Sequence, residues 1–118
     1  MDLNFKYTKR IKPQQLEKFL QNEPCIVYVY SPSCGACMAR FSHFDVAVRG
    51  LPKDIKKRVC CYNAILPDAD STFTKLSGVP IEAYPTIFGF STKGRVVEYN
   101  GSETTDKLKT FLEALKKT

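Results

Sequence analysis

No apolar run in this sequence of 118 residues is long enough to cross a bilayer, which takes about 20 such residues in succession. The opening residues, Met1-Asp2-Leu3-Asn4-Phe5-Lys6, lack the charged-then-apolar order of a secretory leader. With Met1 as the natural start, the expectation is a cytoplasmic chain in a reducing compartment, where structural disulfides do not persist. An even cysteine count is also missing. There are five, so no framework can pair them all. Cys25, Cys60 and Cys61 lie in apolar runs and read as small buried hydrophobes. Histidine occurs once. His43 stands nine residues beyond Cys34 and six beyond Cys37, too far along one predicted helix for a cysteine–histidine pair, and reads as surface packing. Repeats and low-complexity tracts are absent.

Acidic residues are the scarcer charge. Eighteen Lys and Arg against twelve Asp and Glu leave a net charge of +6, spread over Lys6 to Lys12, Lys53 to Arg58 and Lys116-Lys117. A basic face can attract acidic proteins or nucleic acid. The sequence shows no aromatic–basic interleaving and no nucleic-acid motif, so the charge reads as solvated surface and no nucleic-acid partner is expected.

The length suits a single domain over residues 1–118, with 43% hydrophobic and 25% charged residues as in ordinary globular chains. Leu3 to Tyr7 is predicted as a short edge strand. A helix follows from Pro13, with Leu16, Phe19 and Leu20 on one face and a stop at Asn22 to Pro24. Cys25 to Tyr30 is apolar without alternation, the pattern of a strand covered on both faces. The next helix runs to about Arg49, carrying Met38, Phe41, Phe44, Asp45 and Val48 in a mostly helical rhythm, and Gly50-Leu51-Pro52 closes it. Val59 to Tyr62 is a second buried strand, and Asp68 to Leu76 a helix with Asp70 or Ser71 near its start. Ile87 to Ser91 and Val96 to Tyr99 form a hairpin about Thr92-Lys93-Gly94-Arg95. Leu108, Phe111, Leu112 and Leu115 mark the last helix at i, i+3, i+4 and i+7. This order predicts an α/β fold, a mixed sheet with helices on both faces.

Within it, Ser31-Pro32-Ser33-Cys34-Gly35-Ala36-Cys37 falls where the first buried strand turns into a helix. That junction sets Cys34 at a helix N-terminus, where unpaired amides and the macrodipole favour a thiolate. Cys37 follows one turn on, within disulfide reach but behind it. A CxxC after the central strand of such a sheet is the signature of a redox dithiol. Packing alone is the competing reading of the two cysteines. Zinc held by Cys34, Cys37, Cys60 and Cys61 is another, opposed by the opposite faces that adjacent strand residues take.

The chain resembles the thioredoxin superfamily over nearly its whole length, and its second half is similar to a protein disulfide isomerase catalytic domain. The likeness is carried by Val27 to Cys37, by Ala83-Tyr84-Pro85-Thr86-Ile87 and by Glu98-Tyr99-Asn100-Gly101, in that order. It implies a thioredoxin fold in which Pro85 is a cis proline opposite the dithiol. Tyr84 then presents backbone for a substrate strand. A trans proline opening an edge strand is the alternative.

Several positions depart from the family pattern. A buried acid usually lies six residues before the first cysteine and exchanges a proton with the second. Tyr28 stands there, and a phenol is a poor base at neutral pH. An arginine after the glycine preceding the last helix is replaced by Ser102 and Glu103, and a lysine paired with the acid by Cys61. Loss of acid and lysine together avoids an unpaired buried charge. Ser33 replaces the usual tryptophan, and Gly35-Ala36 lacks the proline and histidine that mark reducing and oxidising relatives.

The expected function is thiol–disulfide exchange with protein substrates, weakened by the change at Tyr28. Cys34 is the expected nucleophile, Cys37 its resolving partner, and Cys34–Cys37 the disulfide they form. Ser33, Gly35, Ala36, Tyr84 and Pro85 are the expected substrate-binding residues. Partners are protein thiols and disulfides, with a dithiol reductant or a reductase as electron donor; no metal or cofactor is implied. Arg40 could lower a sulfur pKa from nearby, although an exposed helix charge is its default reading. The alternative is a non-catalytic thioredoxin-fold module that docks partners around Pro85.

Overall fold

Every residue of the strand Cys25–Tyr30 is buried, and its side chains divide between two cores. Ile26, Tyr28 and Tyr30 point to one face of the sheet, Val27 and Val29 to the other. Alternation of this kind needs apolar side chains at every position, which explains the unbroken run in the sequence. The computed structural model describes residues 2–21 and 23–118. Met1, on which the reading of the N-terminus rested, and Asn22, part of the predicted helix stop, lie outside them.

The elements in order are β1 (Lys9–Ile11), α1 (Pro13–Leu20), β2 (Cys25–Tyr30), α2 (Gly35–Arg49), α3 (Lys53–Lys56), β3 (Val59–Asn63), α4 (Ala69–Ser77), β4 (Thr86–Phe90), β5 (Val96–Tyr99) and α5 (Thr105–Leu115). The sheet runs β1-β3-β2-β4-β5. β1 and β2 are parallel to β3, whereas β4 is antiparallel to β2 and to β5. Phe44 and Val48 of α2 and Leu108 and Leu112 of α5 cover the Tyr28 face. Leu16 and Phe19 of α1 and Phe73 of α4 cover the Val27 face. Burying each such side chain contributes about 2 kcal/mol, so each sheet face is sealed by its own helix pair. Cys61 belongs to the first core and Cys60 to the second, so the two point apart and no four-thiolate cluster with Cys34 and Cys37 forms.

The structure corrects the sequence reading at three places. Leu3 to Tyr7 is not a strand; Leu3 and Phe5 are buried in the Tyr28 core, and pairing begins only at Lys9. The cause is Asp45, a buried carboxylate on α2. Its Oδ2 accepts the Lys6 amide at 2.7 Å, and its Oδ1 accepts the Tyr7 and Thr8 amides at 3.0 and 2.8 Å and the Thr8 hydroxyl at 2.7 Å. Those amides are therefore spent on one side chain and not on a ladder. Met38, placed in the apolar rhythm of α2, is 59% exposed. The one-turn helix α3, absent from the sequence reading, buries Ile55.

The hairpin turn is as the sequence predicts. Gly94 adopts φ +82°, and the Gly94 amide donates to the Ser91 carbonyl at 2.9 Å. Helix α4 starts at Ala69, one residue before Asp70, and its N-cap Asp68 is left-handed at φ 65°.

Candidate active site

Cys34 is the N-cap of α2. Its backbone is extended, at φ −85° and ψ 119°, while its carbonyl already accepts the Met38 amide at 3.1 Å. The cap side chain is the thiol itself: Sγ accepts the Cys37 amide at 3.2 Å. A serine or aspartate commonly fills this place because an acceptor there satisfies an orphan amide, and a thiolate does so better than a thiol. The Cys34 Sγ also lies 3.6 Å from the Tyr84 carbonyl, to which the protonated thiol donates. That carbonyl belongs to the Tyr84–Pro85 peptide, which is cis.

The two sulfurs differ in exposure and in proton affinity. Cys34 is partly exposed and flanked by exposed Ser33, Gly35 and Ala36, whereas Cys37 is fully buried. The Cys37 thiol donates to the Cys34 sulfur and pulls its pKa below the ordinary thiol value; burial opposes this, and the amides of Cys37 and Ala36 add to the lowering. Burial pushes Cys37 up to about 11, and its hydrogen bond to Cys34 adds to the rise. One sulfur is thus set to ionise and the other to hold its proton. Both are unpaired, as are Cys25, Cys60 and Cys61.

Tyr28 fills the floor. Its ring is buried against Phe44, centroids 4.6 Å apart, and against Phe5 at 5.7 Å. Its hydroxyl has no hydrogen-bond partner, and burial raises its pKa well above a free phenol's, with the Cys37 charge acting the same way. Beside the dithiol, Pro85 lines a polar cavity of about 130 Å³ together with Arg40, Tyr99 and Glu103. Arg40 Nη2 pairs with Glu103 Oε2 at 3.0 Å.

The sequence of this chain matches the model of the thioredoxin family over residues 7–114. The chain belongs to the thioredoxin family. Across 100 residues it is 25% identical to a protein disulfide-isomerase of Zea mays, a match spanning 85% of this chain and 18% of that protein. The J-Trx1 fragment of ERdj5 superposes with a TM-score of 0.73 at 20% identity, covering 97% of this chain and 52% of the other. The first thioredoxin domain of mouse protein disulfide-isomerase A4 gives 0.66 at 18% identity, over 95% and 81% of the two chains. At those identities the superpositions speak for the fold, a thioredoxin fold close to the disulfide-isomerase-like domains. This thioredoxin-family chain spans about half, or less, of the first of these relatives.

Of the residues expected at the site, Cys34, Cys37, Tyr84 and Pro85 come together in space, with Ser33, Gly35 and Ala36 around them. His43 is exposed on α2, turned to a different cavity from the one beside Pro85. Arg40, read as an exposed charge, is 52% exposed and yet ion-paired. Sequence reasoning missed that pairing and the Asp45 clamp. An aspartate standing in an apolar rhythm was the available signal for the clamp.

Proposed function

We propose that this chain is a thiol–disulfide oxidoreductase acting on protein substrates through the Cys34–Cys37 dithiol. The observation that carries this reading is the asymmetry of the pair: a partly exposed, acidified sulfur at a helix N-cap, with a buried, proton-retaining thiol bonded behind it. The Cys34 thiolate attacks one sulfur of a substrate disulfide; the new Cys34–substrate bond forms and the substrate's own S–S bond breaks, releasing one thiolate. Cys37 then loses its proton and attacks Cys34. That step closes the Cys34–Cys37 disulfide and expels the second substrate thiolate. Substrate is reduced by two electrons and the chain oxidised by two; an external dithiol or a reductase restores it. Run backwards, the same steps oxidise a substrate dithiol.

Ser33, Gly35 and Ala36 leave the attacking sulfur open to a bulky substrate, and the backbone beside Pro85 offers it a place to align. Reduction of a protein disulfide such as insulin tests the reading. Cys34→Ser is expected to abolish turnover, and Cys37→Ser to arrest it as a trapped mixed disulfide. Equal activity of wild type and Cys34→Ser ends the proposal. A second reading, a binding module docking partners at the Pro85 surface, has Tyr28 in its favour, since a buried phenol replaces the expected acid. Binding without turnover in the same assay selects it.

A further inference from the structure

Cys37 must lose a proton from inside the core for the closing step to occur. At neutral pH it is a thiol, and the thiol is not the nucleophile. Among the described residues, the ionisable groups on this side of the sheet include Cys34 at the N-cap of α2, Arg40 and Asp45 on α2, Tyr28 and Tyr30 on β2, Cys61 on β3 and Tyr84 before β4, with Glu98 and Tyr99 on β5 and Glu103 before α5 lining the neighbouring cavity. Asp2 and Glu98 on this side of the molecule are exposed, whereas the carboxylates of Asp45 and Glu103 are largely buried. Asp45 is fully engaged by the three amides and the hydroxyl of residues 6–8. Glu103 is not. Its side chain is 10% exposed, its Oε2 is held by Arg40, and its Oε1 is buried with no partner.

Among the described residues only one other buried side-chain oxygen lacks a partner, and it is the Tyr28 hydroxyl. Orphaned buried polar atoms are rare and costly, and here the Tyr28 hydroxyl lies within electrostatic range of both Glu103 and Cys37, so the two orphans call for a common account. Glu103 lines the 130 Å³ polar cavity beside Pro85, which has room for bridging water.

We propose that Glu103, held in place by Arg40, takes the Cys37 proton through the Tyr28 hydroxyl and cavity water, and returns it when the disulfide reopens. The inference rests on the disulfide-exchange reading. In the step, the Tyr28 hydroxyl accepts the proton of Cys37 as it gives its own towards Glu103, so no phenolate accumulates. The electron pair left on Cys37 forms the bond to Cys34, and the substrate sulfur departs with the pair of the broken bond. Tyr28 is a relay and not the base, which removes the objection that a phenol is too weak. Arg40 is a positioning residue.

Single-turnover mixing of the reduced chain with one equivalent of an aromatic disulfide that liberates a coloured thiolate separates the two attacks. The first burst reports Cys34; the second reports closure by Cys37. Glu103→Gln is expected to leave the first burst within about twofold and to slow the second about tenfold or more at neutral pH. The gap should narrow as the pH rises towards about 11, where Cys37 ionises unaided. Glu103→Asp should recover part of the rate. Tyr28→Phe should slow the second burst as Glu103→Gln does, while its melting temperature holds or rises, because an orphan hydroxyl is removed from an apolar floor. A Glu103→Gln second burst within twofold of wild type, in a protein of unchanged melting temperature, overturns the relay alone. So does a slow Glu103→Gln beside a normal Tyr28→Phe, which takes the tyrosine out of the route. A wild-type second burst no faster than that of Cys37→Ser overturns the exchange reading, and the relay with it.

Discussion

A thiol reagent added to the reduced chain meets Cys34 before any other sulfur. Alkylation followed by mass spectrometry should modify one site per molecule at neutral pH, with a half-point for Cys34 below that of an ordinary thiol. Cys37 should react only as the pH nears about 11. A Cys34 half-point at or above the ordinary value would contradict the N-cap account. The sequence made this pair legible because strand, cap and first helical turn are consecutive, so four residues carry the local geometry. Tyr28 was legible in the same way, as a phenol where an acid was expected. The Arg40–Glu103 pair was not. Its members are 63 residues apart, and only the docking of α5 beside α2 brings them together. Asp45 was visible as a misfit among apolar neighbours, but its partners are backbone amides, which no residue pattern announces.

At the level of elements, α5 approaches β4 closely at Gly89. A Cβ built on Gly89 would lie 2.5 Å from the Phe111 ring tip and 2.7 Å from Leu115 Cδ1. The helix rests on bare backbone there. Gly89→Ala should therefore destabilise the fold by about 1–3 kcal/mol, read as a lowered midpoint in urea, with no change in the Cys34 alkylation rate. An unchanged midpoint would mean that α5 can shift at no cost. The long periodic helices and the two apolar strands were legible because burial on one or both faces leaves a repeating mark. Leu3 to Tyr7 misled because its alternation serves core contacts and an Asp45 clamp, with no neighbouring strand to pair. Helix α3 is a single turn, too short to show any period.

The molecule as a whole should be weakened by alkali. Burial pushes Cys25 and Cys61 up to about 12, and Cys60 well above its ordinary value. All three stay protonated in the folded chain, while unfolding returns them to ordinary thiols that ionise near pH 8.5. Their contribution is thus complete below about pH 8.5 and is lost as the pH climbs towards 12, each thiol removing about 1.4 kcal/mol per pH unit. Urea titrations of the reduced protein at stepped pH should show stability falling steadily above about pH 8.5, with these three thiols alone removing about 4 kcal/mol per unit before the buried tyrosines add their share above about pH 10. A flat profile up to pH 10 would show that the cores admit water. The two margins of the sheet carry a different kind of consequence. β1 is three residues long with exposed Lys9 and Arg10, and β5 exposes Glu98. A stray β-strand, or a second copy adding itself to the row, would have to bury these charges, so neither margin templates fibrils and concentrated solutions of the folded chain should stay free of cross-β material.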